Sequence, residues 1–420
     1  MRTPNIPPPD VNKRSDDNLI TQTRRYKVIT PLFGGGVKPG EADPVTVVRA
    51  TEVRGHLRFW WRAMNVGRFQ SIADLKRDEG QIWGSTETPS RVLVDIPVRS
   101  VDQGTPEIAF RVVREDKVKL VASPNLAPYA AFPFLPDKVE QKRVGWESEP
   151  VLVNTAFVLG LRYPESLRAD VESALWAWET FGGIGARTRR GFGALQWQDS
   201  PNSYLAQPAE VERQIRARLA QLPLQSDELD LVPSLNPQLN LKITKAFSDP
   251  IAAWKDLISA LQQFRQDRYG KKFGRSKWPE ANEIRRLHGL PPKLPDGIQE
   301  SSLVRKFPRA AFGLPIVFHM AHDQEIADDP LLEGVPNQNT GAKYDRLASP
   351  LILRPLACAG GKYVGLATIL HAPTEPPRGL RLKGAPGDPA VSAKLSQSEA
   401  QQIEPLDGNR DVLQAFLDWL

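Results

Sequence analysis

Cysteine is nearly absent from the 420-residue chain, with Cys358 standing alone. One thiol allows no internal disulfide framework and fits a reducing compartment. No apolar run approaches the about 20 residues a helix needs to span a bilayer. The first residues, Met1 to Asp17, are proline-rich and polar with no apolar stretch behind their charges, which excludes a secretory signal. A cytoplasmic protein without a membrane partner is predicted. Catalytic signatures are missing as well: there is no G-x-S-x-G elbow, no G-x-G-x-x-G fingerprint and no Gly-Lys-Ser/Thr phosphate loop. Histidine is scarce, with His56, His288, His319, His322 and His371 making up all five. His319 and His322 have ligand-type spacing, but aiming both rings at one metal needs a helix, and the run before them reads as a strand. No metal and no cofactor is predicted.

What is present is a mild basic excess, 55 basic against 49 acidic residues for a net charge of +6. Such an excess permits nucleic-acid binding without proving it, so local clustering decides. The sharpest cluster is Phe181 to Gly193, FGGIGARTRRGFG, with five glycines and three arginines. Gly182, Gly183 and Gly185 let the backbone approach a ligand closely, Arg187, Arg189 and Arg190 neutralise phosphates, and Phe192 is placed to stack on a base. The loop runs from helix to strand, opposite to a nucleotide-cofactor loop. A clamp on a nucleic-acid backbone fits it; a solvated connection with arginines for solubility is the plain alternative.

Three further stretches carry charge in a pattern. Arg54 to Met64, RGHLRFWWRAM, reads as a helix with Leu57, Trp60, Trp61 and Met64 on its core face. Arg54, Arg58 and Arg62 form a stripe beside it with no acidic residue at i+4, which leaves them for an external anion, a plain solvated face being the alternative. The glycine run Gly34 to Gly40 leaves Lys38 either in reach of a phosphate or as a plain exposed lysine. In Arg268 to Glu280, RYGKKFGRSKWPE, the cations Lys271, Lys272, Arg275 and Lys277 alternate with aromatics that include Trp278, a composition suited to single-stranded nucleic acid, with a disordered basic linker as the alternative that three aromatics argue against. His56 sits beside the arginine stripe, placed either as a general base or as an ordinary helix-surface histidine.

Hydrophobic periodicity predicts a first strand over Thr23 to Leu32, a strand with Val92, Val94, Ile96 and Val98 on one face, and strands over Glu107 to Val113 and Val151 to Tyr163. A loop is predicted over Asn125 to Val144. A helix over Ser166 to Thr180 buries Leu167, Val171, Leu175 and Trp178, and Ala194 to Trp197 returns to the sheet. Strand, helix, strand, strand, helix, strand is the order of a ferredoxin-like domain. A second unit of the same kind starts near Leu239, with a helix from Ile251 to Phe264 that carries Ile251, Trp254, Ile258 and Leu261 on one side, Leu257 and Phe264 widening the stripe. The fold class is therefore α+β, two ferredoxin-like (RRM-like) domains with long insertions. The boundaries are a flexible segment 1–20, a first domain 21–200, a linker with one helix 201–237, and a second domain 238–420.

The segments ITPLFGGG, EVRGHLRFWWRAM, IWGSTETPSRV, FGGIGARTRRGFGAL, RSKWPE, FPRAAFGLPIVF and RLASPLILRP, taken together, resemble the RAMP superfamily. More narrowly they resemble the first-numbered subunits of the Cmr module of type III-B CRISPR effector complexes, from about Val28 to Pro355. The resemblance implies RRM-like folds, a glycine-rich loop matching Phe181 to Gly193, and guide RNA and target RNA as ligands. It also implies other Cmr-module RAMP subunits as partners and a place at the filament end that holds the 3′ side of the guide. It is not the subunit credited with cutting the target, so no enzyme activity is implied. His56 departs from the small residue expected in that helix, and the region after Pro355 has no assigned site. A metal-independent endoribonuclease using His56, and a protein-interaction cap without RNA affinity, are the rival readings.

Overall fold

The first strand, β1 (Leu19–Val28), buries Arg24, Tyr26 and Val28 on alternate positions, the period of two that a half-buried strand requires. A computed structural model of the chain describes residues 18–36, 46–97, 101–115, 117–137, 139–200, 206–270, 274–294, 297, 299–300, 303–320, 325–326, 328–337 and 346–420. After β1 come α1 (Ala50–Asn65), α2 (Ile72–Trp83) and a short β2 (Leu93–Asp95). Two ribbons follow, β3 (Thr105–Ile108) paired with β6 (Pro150–Val153) and, between them, β4 (Phe110–Arg114) paired with β5 (Val118–Ala122). The unit closes with β7 (Ala156–Pro164), α3 (Arg168–Phe181) and β8 (Leu195–Trp197).

These strands form an antiparallel sheet in the order β2-β7-β1-β8. The helices α1 and α3 pack together on it. Leu57, Trp60, Trp61 and Met64 of α1 and Val171, Leu175 and Trp178 of α3 are all buried in one core with Tyr26, Phe157 and Leu159, as their spacing predicts. Four strand predictions are corrected: the one over Thr23 to Leu32 lies at Leu19–Val28, and the one over Glu107 to Val113 is broken at Ala109 between β3 and β4. Among the described residues the 92–98 strand is three residues long, paired with β7 from Leu93↔Arg162 to Asp95↔Gly160; Val92 and Ile96 are nonetheless buried, and Val98 lies outside the described residues. The run Val151 to Tyr163 is cut in two at Asn154, whose φ of 61° cannot continue a strand. Within the predicted loop Asn125 to Val144, the structure has short 3₁₀ turns at Pro128–Phe134 and Glu140–Lys142.

The remainder contains α4 (Val211–Leu219), β9 (Asn240–Phe247), α5 (Pro250–Arg265), α6 (Glu280–Leu287), β10 (Ile316–Val317), β11 (Leu331–Gly334), β12 (Leu351–Cys358) and β13 (Lys362–Ile369). It ends with β14 (Leu380–Lys383), β15 (Ala390–Val391), α7 (Gln397–Gln401) and α8 (Val412–Trp419). Asp249 caps α5, its carboxylate accepting from the Ala252 amide at 2.9 Å, with Pro250 in the first turn. The sheet β12-β13-β9 has three strands among the described residues, one short of a second βαββαβ set. A separate sheet, β10-β11-β14-β15, encloses its own small core around Phe307, Leu332 and Leu382.

The two larger cores cross the boundary expected near residue 200. The first takes Ile352, Val364 and Leu366 from the second sheet, and the second takes Phe33 and Phe192 from the first half. The helix of the segment read as a linker buries Val211, Ile215 and Leu219 in the first core.

Candidate nucleic-acid interface

The loop that leaves α3 threads the seam between the sheets β2-β7-β1-β8 and β12-β13-β9. Its glycines are there to let the backbone pass protein. A Cβ on Gly182 would lie 2.6 Å from both Trp178 and Trp60, and one on Gly191, at φ 82°, would lie 2.5 Å from the Trp254 indole nitrogen. The Trp254 Nε1 donates to the Arg190 carbonyl at 2.7 Å, and Trp178 Nε1 to the Gly183 carbonyl at 2.8 Å. The Gly185 amide donates to Glu52 Oε1 at 2.8 Å. Close approach to a ligand, expected of Gly182, Gly183 and Gly185, is thus corrected to close approach to tryptophan, backbone and a carboxylate.

The three arginines are half-buried and each meets backbone carbonyls. Arg187 Nε donates to Ala130 O at 2.8 Å, with its guanidinium 4.4 Å over the Phe132 ring. Arg189 Nη1 donates to Ser349 O at 2.6 Å, and Arg190 reaches Leu351 O at 2.8 Å and Phe312 O at 3.0 Å. No carboxylate among the described residues pairs with any of them. Burial pushes Arg187 down to about 10 and Arg190 down to about 9, the latter helped by repulsion from Arg265, Arg187 and Arg189; burial lowers Arg189 too. Gathered cations without counter-charge are costly, and an external anion relieves that cost. Phe192 does not fit the stacking role. It is 0% exposed, wedged against Trp254 (4.9 Å), Phe33 (6.0 Å) and Phe134 (6.5 Å), so no base reaches it.

Along α1 the stripe divides. Arg58 Nε and Arg62 Nη1 converge on Glu79 Oε1 of α2, at 2.7 and 2.6 Å, and Glu79 is buried. The expectation that both were unpaired is corrected: their acid comes from the next helix rather than from i+4. Arg54 is exposed, and no described residue pairs with it. His56 lies 3.8 Å from Glu52 Oε1 and stacks on Trp178 at 6.3 Å.

The second basic stretch is mostly structural where it is described. Trp278 is 1% exposed, donating to Phe264 O at 2.9 Å and packed on the Phe264 ring, so its expected role on RNA is corrected to core. Lys277 is held by Glu404 at 2.5 Å and Asp267 at 3.2 Å. Arg275 is exposed. Lys38, Lys271, Lys272 and His322 lie outside the described residues, and His319 bonds Asp329 at 2.7 Å. Among the described residues no group of three or more metal-ligating side chains gathers, and no helix is long and apolar enough to cross a membrane.

Two residues at the loop escaped the sequence reading. Arg354, in the middle of β12, is fully buried and donates to the carbonyls of Glu179, Gly182, Leu195 and Pro355. Its signal was an arginine inside an apolar strand, SPLILRPLA. Phe132 is 59% exposed beneath the Arg187 guanidinium; nothing in a proline-rich loop marked it.

A model of the RAMP superfamily matches residues 25–196 of the chain. A curated relative, the CRISPR system Cmr subunit Cmr1-2 of Pyrococcus furiosus, is 31% identical over 185 residues, 41% of this chain and 92% of that protein. Among solved structures, Cmr1 of Pyrococcus furiosus in its apo form is similar over 84% of this chain and 88% of that one, at 15% identity and a TM-score of 0.45. A chain of the type III-B Cmr-beta complex bound to cognate target RNA is similar over 95% and 99%, at 13% identity and a TM-score of 0.46.

Proposed function

The chain belongs to the RAMP superfamily as a Cmr1-like subunit, and from that premise we propose that it is a noncatalytic RNA-binding subunit of a type III-B CRISPR ribonucleoprotein. It stands at the filament end that holds the 3′ side of the guide RNA, helps capture target RNA, and has the other Cmr-module RAMP subunits as protein partners. The second sheet is, on this reading, a ferredoxin-like unit short of one strand, and 21–200 and 238–420 are the two domains.

The observation that carries the RNA reading is the loop's charge: Arg187, Arg189 and Arg190 gather half-buried with no carboxylate on any of them. Backbone phosphates supply the missing counter-charge, and exposed Arg54 adds a fourth cation to the same assignment. Phe132, exposed and stacked under Arg187, takes the base-stacking role that Phe192 lacks. Contacts of this kind position a strand without reading its sequence. The test is a filter-binding titration of single-stranded RNA at several salt concentrations. Each lost phosphate contact should flatten the log–log slope by about 0.7. Arg187→Ala, Arg189→Ala and Arg190→Ala combined, and Arg54→Ala separately with its fold intact, should both show it; slopes identical to the parent's sink the proposal.

A second reading rests on His56 beside Glu52, the pairing a general base on a 2′-hydroxyl needs. RNA cleavage by the purified chain that disappears in His56→Ala would favour it.

A further inference from the structure

A cavity of about 250 Å³ opens between α3, β8, α4 and β12. Its walls include two indoles, Trp176 and Trp197. Each carries a guanidinium, Arg218 at 4.4 Å over Trp176 and Arg24 at 4.0 Å over Trp197. Three neutral polar side chains, Thr180, Gln196 and Gln214, also line it. Thr180, on the α3 side, is buried. Gln214 is exposed at the cavity's edge, and half-buried Gln196 receives one long contact, 3.5 Å from the Tyr363 hydroxyl. Glu179 also lines the cavity, but its Oε1 is held by Arg24 at 2.7 Å and by the Tyr26 hydroxyl at 2.5 Å.

Each of these facts narrows the ligand. A hydroxyl and two amides offer donors and acceptors together, which a ligand with polar edges can use and a hydrocarbon side chain cannot. Flat indole walls favour a planar π system of matching width. The volume lies below the roughly 300–1,000 Å³ of pockets that enclose drug-sized ligands, which admits one heterocycle and leaves a sugar-phosphate outside. We propose that this cavity is a nucleobase pocket, in which a base unstacked from RNA lies against the indoles and hydrogen-bonds to Thr180, Gln196 and Gln214. The source of the base rests on the RNA reading above. The pocket's chemistry does not, because free nucleosides carry no phosphate and bypass the arginine loop.

The experiment therefore uses nucleosides. Adenosine, guanosine, cytidine and uridine are titrated separately into the full chain to about 10 mM, near the weak end of specific binding, and followed by saturation-transfer NMR. At least one should bind, and the Thr180→Val, Gln214→Leu double variant should weaken it about tenfold. Removing Arg187, Arg189 and Arg190 should leave that affinity unchanged. Trp176→Ala should abolish it; because that variant removes packing as well, the Thr180 and Gln214 pair, which keeps side-chain volume, is the deciding one. No binding by any nucleoside, or binding that the double variant does not touch, overturns the proposal. So does preference for N-acetyltryptophanamide over every nucleoside, which would mark a site for a partner protein's aromatic side chain. Nucleoside binding together with unaltered RNA salt slopes would keep the pocket and remove the loop, so the two claims fail separately.

Discussion

Arg354 Nη1 lies 2.6 Å from the carbonyl oxygen of Gly182, joining a strand of the second sheet to the first residue of the loop after α3. The same guanidinium donates to Glu179 O at 2.8 Å, Leu195 O at 2.9 Å and Pro355 O at 3.0 Å. Burial pushes its pKa down to about 9, against the pull of the Glu179 charge. One cation thus terminates α3, fixes the start of the loop and aligns β8 with β12.

Arg354→Met removes every one of those donors while keeping most of the volume. The carbonyls left without partners should lower stability by about 3–5 kcal/mol, the range for breaking a buried charged network. Urea unfolding measures it; a loss under about 1 kcal/mol would mean the carbonyls find other donors.

Gly191→Ala and Gly270→Ala form a matched pair. Both glycines have positive φ, 82° and 70°, but a Cβ on Gly191 meets Trp254 at 2.5 Å whereas one on Gly270 meets nothing within 4 Å. The Gly270 variant should cost about 1 kcal/mol for its backbone alone, and the Gly191 variant several times that. Melting temperatures of the two compared with the parent decide it; equal drops would contradict the packing role of the loop.

Phe192→Leu and Phe132→Ala separate core from surface. The first should lower the melting temperature and leave RNA affinity alone. The second should spare stability and weaken single-stranded RNA binding by about 1–3 kcal/mol, the worth of one base on an aromatic ring. The reverse pattern would return Phe192 to the RNA.

Glu79→Gln releases two guanidiniums at once, since Arg58 and Arg62 share Glu79 Oε1. The variant should bind RNA with a steeper salt dependence than the parent. An unchanged slope would place this face of α1 away from RNA.

Cys358 is 2% exposed and burial pushes its thiol up to about 11. A thiol whose pKa is raised in the folded chain stays protonated at pH 8, where an unfolded one is partly thiolate. Native protein should therefore resist iodoacetamide at pH 8 and react in urea, followed by intact mass. Rapid native labelling would show that β12 opens.

What the order of residues determined by itself was burial along single elements. The stripes of α1, α3 and α5 were legible because a helix repeats every 3.6 residues and each side chain's neighbours on its own helix are set by that repeat. The basic, glycine-rich character of 181–193 was legible in the same direct way, and so was the family through its joint motifs. Tertiary structure alone decided what the loop does with its residues. A glycine that admits a phosphate and a glycine that admits the edge of Trp254 look alike in one dimension. The acid that holds Arg58 is 21 residues away, and the carbonyl that holds Arg354 is 172 away. Such partners are brought together by sheet packing, and electrostatic attraction over a few ångströms depends on that distance and on exposure to water, neither of which local spacing encodes.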